Sequence, residues 1–251
     1  MTRIIAVANQ KGGVGKTTTV INLGASLAVN NKDVLIIDLD PQANATSGLG
    51  VPLGGIGGVH SLTAGSRPLN ELVMKTEVEG LFLVPGTTDM AGLEIELASQ
   101  QNREYFLDKA LKGSVEQYEY VLIDCPPSLG LLTINGLVAA DGVILPVQSE
   151  YYALEGLSHL LQTIARVRSA WNRRLLLFGV VVTMYDSRLK LSREVYEEAR
   201  AHLGKSMFRT TIPRNVKLGE APSYGKPALL YDPYSKGAGS YLSLAREVMD
   251  R

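Results

Sequence analysis

Residues 10 to 17, Gln10-Lys11-Gly12-Gly13-Val14-Gly15-Lys16-Thr17, place three glycines, two lysines and a hydroxyl within one short stretch. Those types at that spacing suit phosphate. Gly12, Gly13 and Gly15 let the backbone take conformations closed to other residues, so successive amide N–H groups can converge on phosphate oxygens. Lys16 adds a full charge at the β- and γ-phosphates of a nucleotide, and the Thr17 hydroxyl can ligate Mg2+. A glycine cluster alone would fit a flexible turn. Here it lies between an apolar run, Ile4 to Ala8, and a segment in which Val20, Leu23, Leu27 and Ala28 recur at helical spacing, and that order favours a nucleotide site. The opening position, six before Lys16, holds Gln10 where the usual phosphate loop has glycine, and Lys11 is a second lysine inside the loop.

Two further stretches supply carboxylates. Asp38-Leu39-Asp40-Pro41-Gln42 closes the apolar run Val34 to Ile37, and Asp124-Cys125-Pro126-Pro127 closes the run Tyr120 to Ile123. An apolar run ended by aspartate, downstream of a phosphate loop, is a Walker B pattern in which the carboxylate reaches Mg2+ directly or through water. Strand alternation puts Asp38 and Asp40 on one side, one to help hold the Mg2+ shell and one to orient or deprotonate an attacking water. A carboxylate pair capping a strand end is the plainer alternative. Pro126 and Pro127 remove backbone donors and stiffen the exit from the strand, which suits a segment that responds to the γ-phosphate as a unit.

Strands must carry these groups to a common edge. The apolar runs predict strands over Ile4 to Ala8, Val34 to Ile37, Leu81 to Val84, Tyr120 to Ile123, Gly142 to Val147, Leu175 to Val182 and Phe208 to Ile212. Helices are expected after the phosphate loop and over Met90 to Ser99, Arg103 to Lys112, Leu131 to Val138, Glu150 to Trp171, Leu189 to Leu203 and Ser240 to Met249. In the helix from Glu150, Leu154, Leu157, Leu160, Leu161, Ile164 and Val167 mark one apolar face. Strands alternating with helices predict an α/β fold, a doubly wound and mostly parallel sheet flanked by helices, in one domain over residues 1–251. In such a sheet ligands bind beyond the carboxyl ends of the strands, where the loop, Asp40 and Asp124 would meet. Residues 48 to 58 are a Gly-rich interruption that reads as a surface loop.

Composition narrows the class. With 45% hydrophobic and 20% charged residues, the 251-residue chain can bury a large core. Met1-Thr2-Arg3 runs directly into the first strand, so no signal peptide is expected, and no apolar stretch reaches the ~18 residues of a membrane span. A cytoplasmic location is expected. The single cysteine, Cys125, excludes an internal disulfide and a CxxC metal site, and reads as core packing. The net charge of zero hides an asymmetry. Residues 1 to 165 hold 9 Lys and Arg against 17 Asp and Glu, whereas residues 166 to 236 hold 14 against 6. A basic third of this kind can be a nucleic-acid footprint.

With these pieces placed, the chain resembles the ParA/Soj partition ATPases of the deviant Walker A superfamily, whose loop reads KGGxGK[ST]. The likeness rests on NQKGGVGKTTT (Asn9 to Thr19), VLIIDLDPQANATSGLG (Val34 to Gly50), VLIDCPPS (Val121 to Ser128) and IPRNVKLGEAPSYGK (Ile212 to Lys226). The resemblance implies ATP and Mg2+ as cofactors and an ATP-dependent homodimer. In it, Lys11 would reach the partner's phosphates, while Gly12, Gly13, Val14, Gly15 and Lys16 would cradle the chain's own. Thr17 would ligate Mg2+, Thr18 would contact the α-phosphate, Asp40 would position the water, and Asp38 and Asp124 would organise the magnesium site. Pro213 and Asn215 resemble the adenine-side segment, though a plain turn also fits them. The resemblance further implies non-specific binding of double-stranded DNA by the dimer, nucleoid association, and stimulation by a ParB-type centromere-binding partner. Arg188, Lys190 and Arg193, with Arg209, Arg214 and Lys217, are the available cations, and each also fits a solvated face. Of these, Arg188 best matches the family's DNA-contacting arginine.

Three rivals share the superfamily. A MinD-like membrane-cycling ATPase would need a basic amphipathic tail, whereas the last helix has only Arg246 and Arg251, so no membrane partner is expected. A nitrogenase-reductase-like carrier needs more thiolates than one cysteine per chain supplies. An amidotransferase-type synthetase would add a substrate domain for which the length leaves no room. Relatives that position another cellular cargo share the same engine and stay open as an alternative.

Overall fold

The computed structural model describes residues 1–53, 57–150 and 153–251, with residues 91 and 153–155 described by their backbone alone. Its first half alternates β1 (Arg3–Val7), α1 (Lys16–Ala28) and β2 (Val34–Asp38), then short helices α2 (Asn44–Gly48), α3 (Val59–Thr63) and α4 (Leu69–Leu72). Strands β3 (Met74–Lys75) and β4 (Leu81–Val84) lead into α5 (Met90–Ala98) and α6 (Phe106–Leu111). The second half continues with β5 (Tyr120–Asp124), α7 (Leu131–Ala139), β6 (Gly142–Gln148), α8 (Ala153–Ala170), β7 (Leu176–Thr183) and α9 (Lys190–Leu203). It closes with α10 (Val216–Glu220), α11 (Ala228–Tyr231) and α12 (Lys236–Met249).

The strands form one sheet in the order β3-β4-β2-β5-β1-β6-β7, parallel throughout except for β3 at one edge. Alternation along the strands builds a core on each face. Ala6, Leu35, Ile37, Val121 and Ile123 pack into one cluster with α7 and α8, while Ile5, Val7, Val34, Ile36 and Leu122 pack into another with α1 and α12. This is the expected doubly wound α/β arrangement. Order and register then decide what meets at the carboxyl edge: β5 lies between β1 and β2, and Asp124 pairs with Val7 on one side and Asp38 on the other.

Phe208 to Ile212 is not a strand. The amides of Arg209 and Thr210, which a ladder would need, instead donate to the Glu247 carboxylate at 2.9 and 2.7 Å. The segment meets β7 through its two end amides, Phe208 N donating to Val180 O at 2.9 Å and Ile212 N to Val182 O at 2.8 Å, and isolated bridges flank it, Val180 with Met207 and Tyr185 with Pro213. Arg103 to Lys112 is a 3-10 turn followed by α6 rather than one helix. The last helix begins four residues earlier than expected, at Lys236, because the Ser235 hydroxyl accepts from Ala238 N at 3.2 Å and caps it. On α8, Leu157, Leu160, Ile164 and Val167 are buried as expected. The Leu154 side chain, and residues 54–56 of the Gly-rich stretch, lie outside what is described.

Candidate active site

The loop after β1 owes its shape to two glycines in the left-handed region, Gly13 (φ 73°) and Gly15 (φ 88°), where a side chain would be strained. From the other side, Thr183 at the end of β7 donates to Val14 O at 2.8 Å and holds the loop against the sheet. Gly15 caps α1, whose first turn has no acidic residue, so its exposed amides and dipole are left for an anion. Gly12, Gly13, Gly15, Lys16, Thr17, Thr18, Asp40 and Gln42 line one cavity of about 430 Å3. A second cavity of about 230 Å3, lined by Met184, Pro213, Asn215 and Leu218, shares Gly15 and Thr18 with the first. Nucleoside and phosphates therefore have adjoining places. Asn215 caps α10, its side-chain oxygen accepting from Lys217 N at 2.9 Å.

The two lysines of the loop part company. Lys16 is buried, its Nζ 3.2 Å from Lys11 O, and desolvation lowers its pKa against the opposing pull of Asp124. Lys11 is exposed outside the phosphate cavity and its Nζ lies 2.6 Å from Glu150 Oε2. Its backbone N–H donates to Asn9 Oδ1 at 3.0 Å, which fixes the main chain but leaves the side chain on the surface.

The carboxylates divide in the same way. Asp124 is fully buried, with Thr17 beside it, yet among the described residues neither of its oxygens meets a hydrogen-bond partner of good geometry. Burial, then the neighbouring Asp38, pushes its pKa well up. An orphaned carboxylate beside a hydroxyl that lines the first cavity fits a divalent cation, which would relieve that burial. Among the described residues no three acidic, imidazole or thiol side chains gather as they would around a metal.

Asp38 is held by its own neighbours. Its Oδ1 accepts from Asp40 N at 3.2 Å and its Oδ2 from Thr46 N and Thr46 Oγ1 at 2.9 and 2.7 Å, so it braces the loop from behind. Burial raises it to about 6 against those hydrogen bonds. Asp40 does line the cavity, but by a turn rather than by strand alternation, since β2 ends at Asp38; its Oδ1 accepts from Gln42 N at 2.9 Å. Cys125 is buried in the core, and burial beside Asp124 pushes its thiol up. The native protein should therefore resist a thiol-alkylating reagent at pH 8 and react fully once unfolded. Stoichiometric labelling without denaturant would contradict that placement.

Of the basic residues, Arg214 lines the second cavity and Arg209 lines a separate one with Glu247 and Arg251. Arg188 forms a two-pronged contact with Asp186, at 2.9 and 2.7 Å, and Arg214 also acts on Asp186. Lys190 pairs with Glu194, Lys217 with Glu220 and Arg209 with Glu247, all through exposed cations. Arg193 is exposed in the first turn of α9. Sequence reasoning did not single out Glu150, Thr183, Asp186 or Thr46, because each acts on a residue fixed by the fold.

The AAA domain family matches residues 2–177. The chain is 52% identical over 250 residues to the chromosome partitioning protein ParA of Myxococcus xanthus, covering 99% of this chain and 88% of that protein. It is 53% identical over 249 residues to the chromosome-partitioning ATPase Soj of Thermus thermophilus, covering 99% of this chain and 96% of that one. This chain belongs to the ParA/Soj family of chromosome-partitioning ATPases.

As a ParA/Soj protein it is an ATPase, with ATP and Mg2+ as its cofactors. Its fold also superposes, at TM-score 0.86 and 38% identity, on a structure from Mycobacterium smegmatis described as cobyrinic acid a,c-diamide synthase with bound ADP and magnesium. That match covers 99% of this chain and 94% of that one, so chain length does not separate a partition ATPase from a protein so described; the partition relatives at half identity do. Among the described residues no helix is long and apolar enough to cross a membrane.

Proposed function

We propose that the chain, acting as a single domain, is an ATP-operated switch: ATP closes a homodimer, the dimer binds double-stranded DNA without sequence preference, and a ParB-type partner speeds hydrolysis and release. The observation that carries this reading is the divergence of the two loop lysines. Lys16 would serve the chain's own phosphates, while Lys11, exposed and outside its own cavity, would reach those of a second subunit. A lysine acting in trans makes dimerisation depend on phosphate, because two electropositive loops would otherwise meet uncompensated. The exposed Lys11–Glu150 pair is of a kind that contributes little, so phosphates can displace it.

Within the site, the Gly12 to Gly15 amides and Thr18 hold the phosphate chain, Pro213 and Asn215 face the base, and Asp40 orients the attacking water. Thr17 and Asp124 would hold Mg2+, with Asp38 organising them from behind; when bound, the ion neutralises charge on the phosphate oxygens. Arg188, Lys190, Arg193, Arg214 and Lys217 form the DNA-facing set, and Arg209 extends it. Arg188 and Lys190 keep 88% and 83% of their side-chain surface exposed, so DNA phosphates can compete with their carboxylate partners. Pairing two subunits doubles a patch that is weak alone, so affinity rises on dimerisation. A cytoplasmic, nucleoid-associated location follows from this reading.

Charge reversal at Arg188 tests the footprint. Arg188→Glu should leave ATP-dependent dimerisation intact and weaken binding to a random duplex, flattening the dependence of log affinity on log salt by roughly 0.9 for each DNA phosphate no longer neutralised. Unchanged affinity and slope would move the DNA surface elsewhere.

A further inference from the structure

Behind the phosphate cavity, one buried hydroxyl joins three segments. Thr46, in α2, has no exposed surface. Its Oγ1 donates to Asp38 Oδ2 at 2.7 Å and accepts from Gly86 N, in the turn after β4, at 2.9 Å. The directions are fixed, because an amide N–H only donates and an ionised carboxylate only accepts. Thr46 N adds a second contact to Asp38 Oδ2 at 2.9 Å. The other carboxylate oxygen, Oδ1, accepts from Asp40 N at 3.2 Å. The plane of the Asp38 carboxylate is therefore set from one side by Thr46 and in turn sets the backbone of Asp40. There is no slack in this arrangement: a Cβ on Gly86 would stand 2.9 Å from Asp38 Cγ.

We infer that Thr46 is a positioning residue for ATP hydrolysis, acting through Asp38 on the placement of Asp40. The inference rests on the reading of Asp40 as the carboxylate that orients the attacking water. Thr46 itself is buried behind the cavity and touches no reacting atom. Its effect belongs in turnover and not in nucleotide affinity, because the Gly13 to Thr18 amides and Lys16 that hold ATP are anchored separately, by Thr183 and by α1. Loss of the hydroxyl would strand Gly86 N and free one side of the Asp38 carboxylate, and a displacement of about 1 Å at a reacting group lowers rate by about 100-fold.

The experiment compares Thr46→Val, Thr46→Ser and Asp40→Ala with the unaltered chain, measuring kcat, KM and the Kd of ATP with Mg2+ at a temperature where all are folded. Thr46→Val keeps the shape and removes the hydroxyl; Thr46→Ala is the second deletion if valine does not fold. The expected result is a kcat lower by about 10- to 100-fold in the deletion, with Kd changed by less than about threefold, and recovery of most of kcat in Thr46→Ser. A purely structural role would lower kcat and binding together. An unchanged kcat in the deletion, a parallel loss of ATP binding, or no recovery in Thr46→Ser would each overturn the inference. Normal turnover in Asp40→Ala would overturn it too, and would do so by removing the Asp40 assignment on which it rests.

Discussion

Lys16→Ala abolishes useful ATP binding. The Lys16 amine is already desolvated in the ligand-free chain and sits at the floor of the cavity, within reach of Asp124 and Asp40. Removing one partner of a buried, hydrogen-bonded charge pair costs about 2–5 kcal/mol, a loss of roughly 30-fold to several thousand-fold in affinity. The fold should survive, because the change deletes a buried cation and leaves α1 and its apolar face intact. A thermal-shift titration reads both points at once: the unaltered chain rises in Tm as ATP and Mg2+ saturate it, whereas the variant should keep its starting Tm and gain no shift. A variant that retained micromolar affinity for ATP would place the phosphates somewhere other than this loop.

Asp40→Ala has the second large effect, and the opposite profile. Asp40 lines the phosphate cavity, but the amides and lysine that grip the nucleotide lie on the other wall, so binding and dimerisation should persist. Loss of a group that orients or deprotonates the attacking water slows the chemical step by about 100- to 10,000-fold. Hydrolysis should fall to that degree while the Kd for ATP stays within about threefold. Single-turnover hydrolysis beside nucleotide titration separates the two, and a normal turnover rate would take Asp40 out of the catalytic role.

Much of this site was legible because its chemistry is local. Gly12 to Thr17 sit consecutively between a strand and a helix, and an apolar run ending at Asp124 needs only its own strand to reach the sheet edge. What escaped depends on contacts between distant segments. The pairing of Asp38 with Asp124 follows from strand order, and the engagement of Asp38 by Thr46 follows from a turn that only the fold closes. Phe208 to Ile212 has the composition of a strand, but Glu247, 37 residues beyond Thr210, takes the amides of Arg209 and Thr210 from its middle. The two-residue β3 and the five-residue α2 and α3 are too short to carry a period that sequence could show. Lys11 is the instructive case. Its presence marked the family, but its outward course and its Glu150 partner became visible only when β1 and β6 were placed side by side.

ATP should turn this chain into a DNA-binding dimer. The measurement that tests it most directly is affinity for a random-sequence duplex without nucleotide, with ADP and with ATP, using Asp40→Ala to hold the ATP state, at two salt concentrations. Binding is expected with ATP alone, falling steeply as salt rises. Equal binding in all three states, or none in the ATP state despite dimerisation, would contradict it.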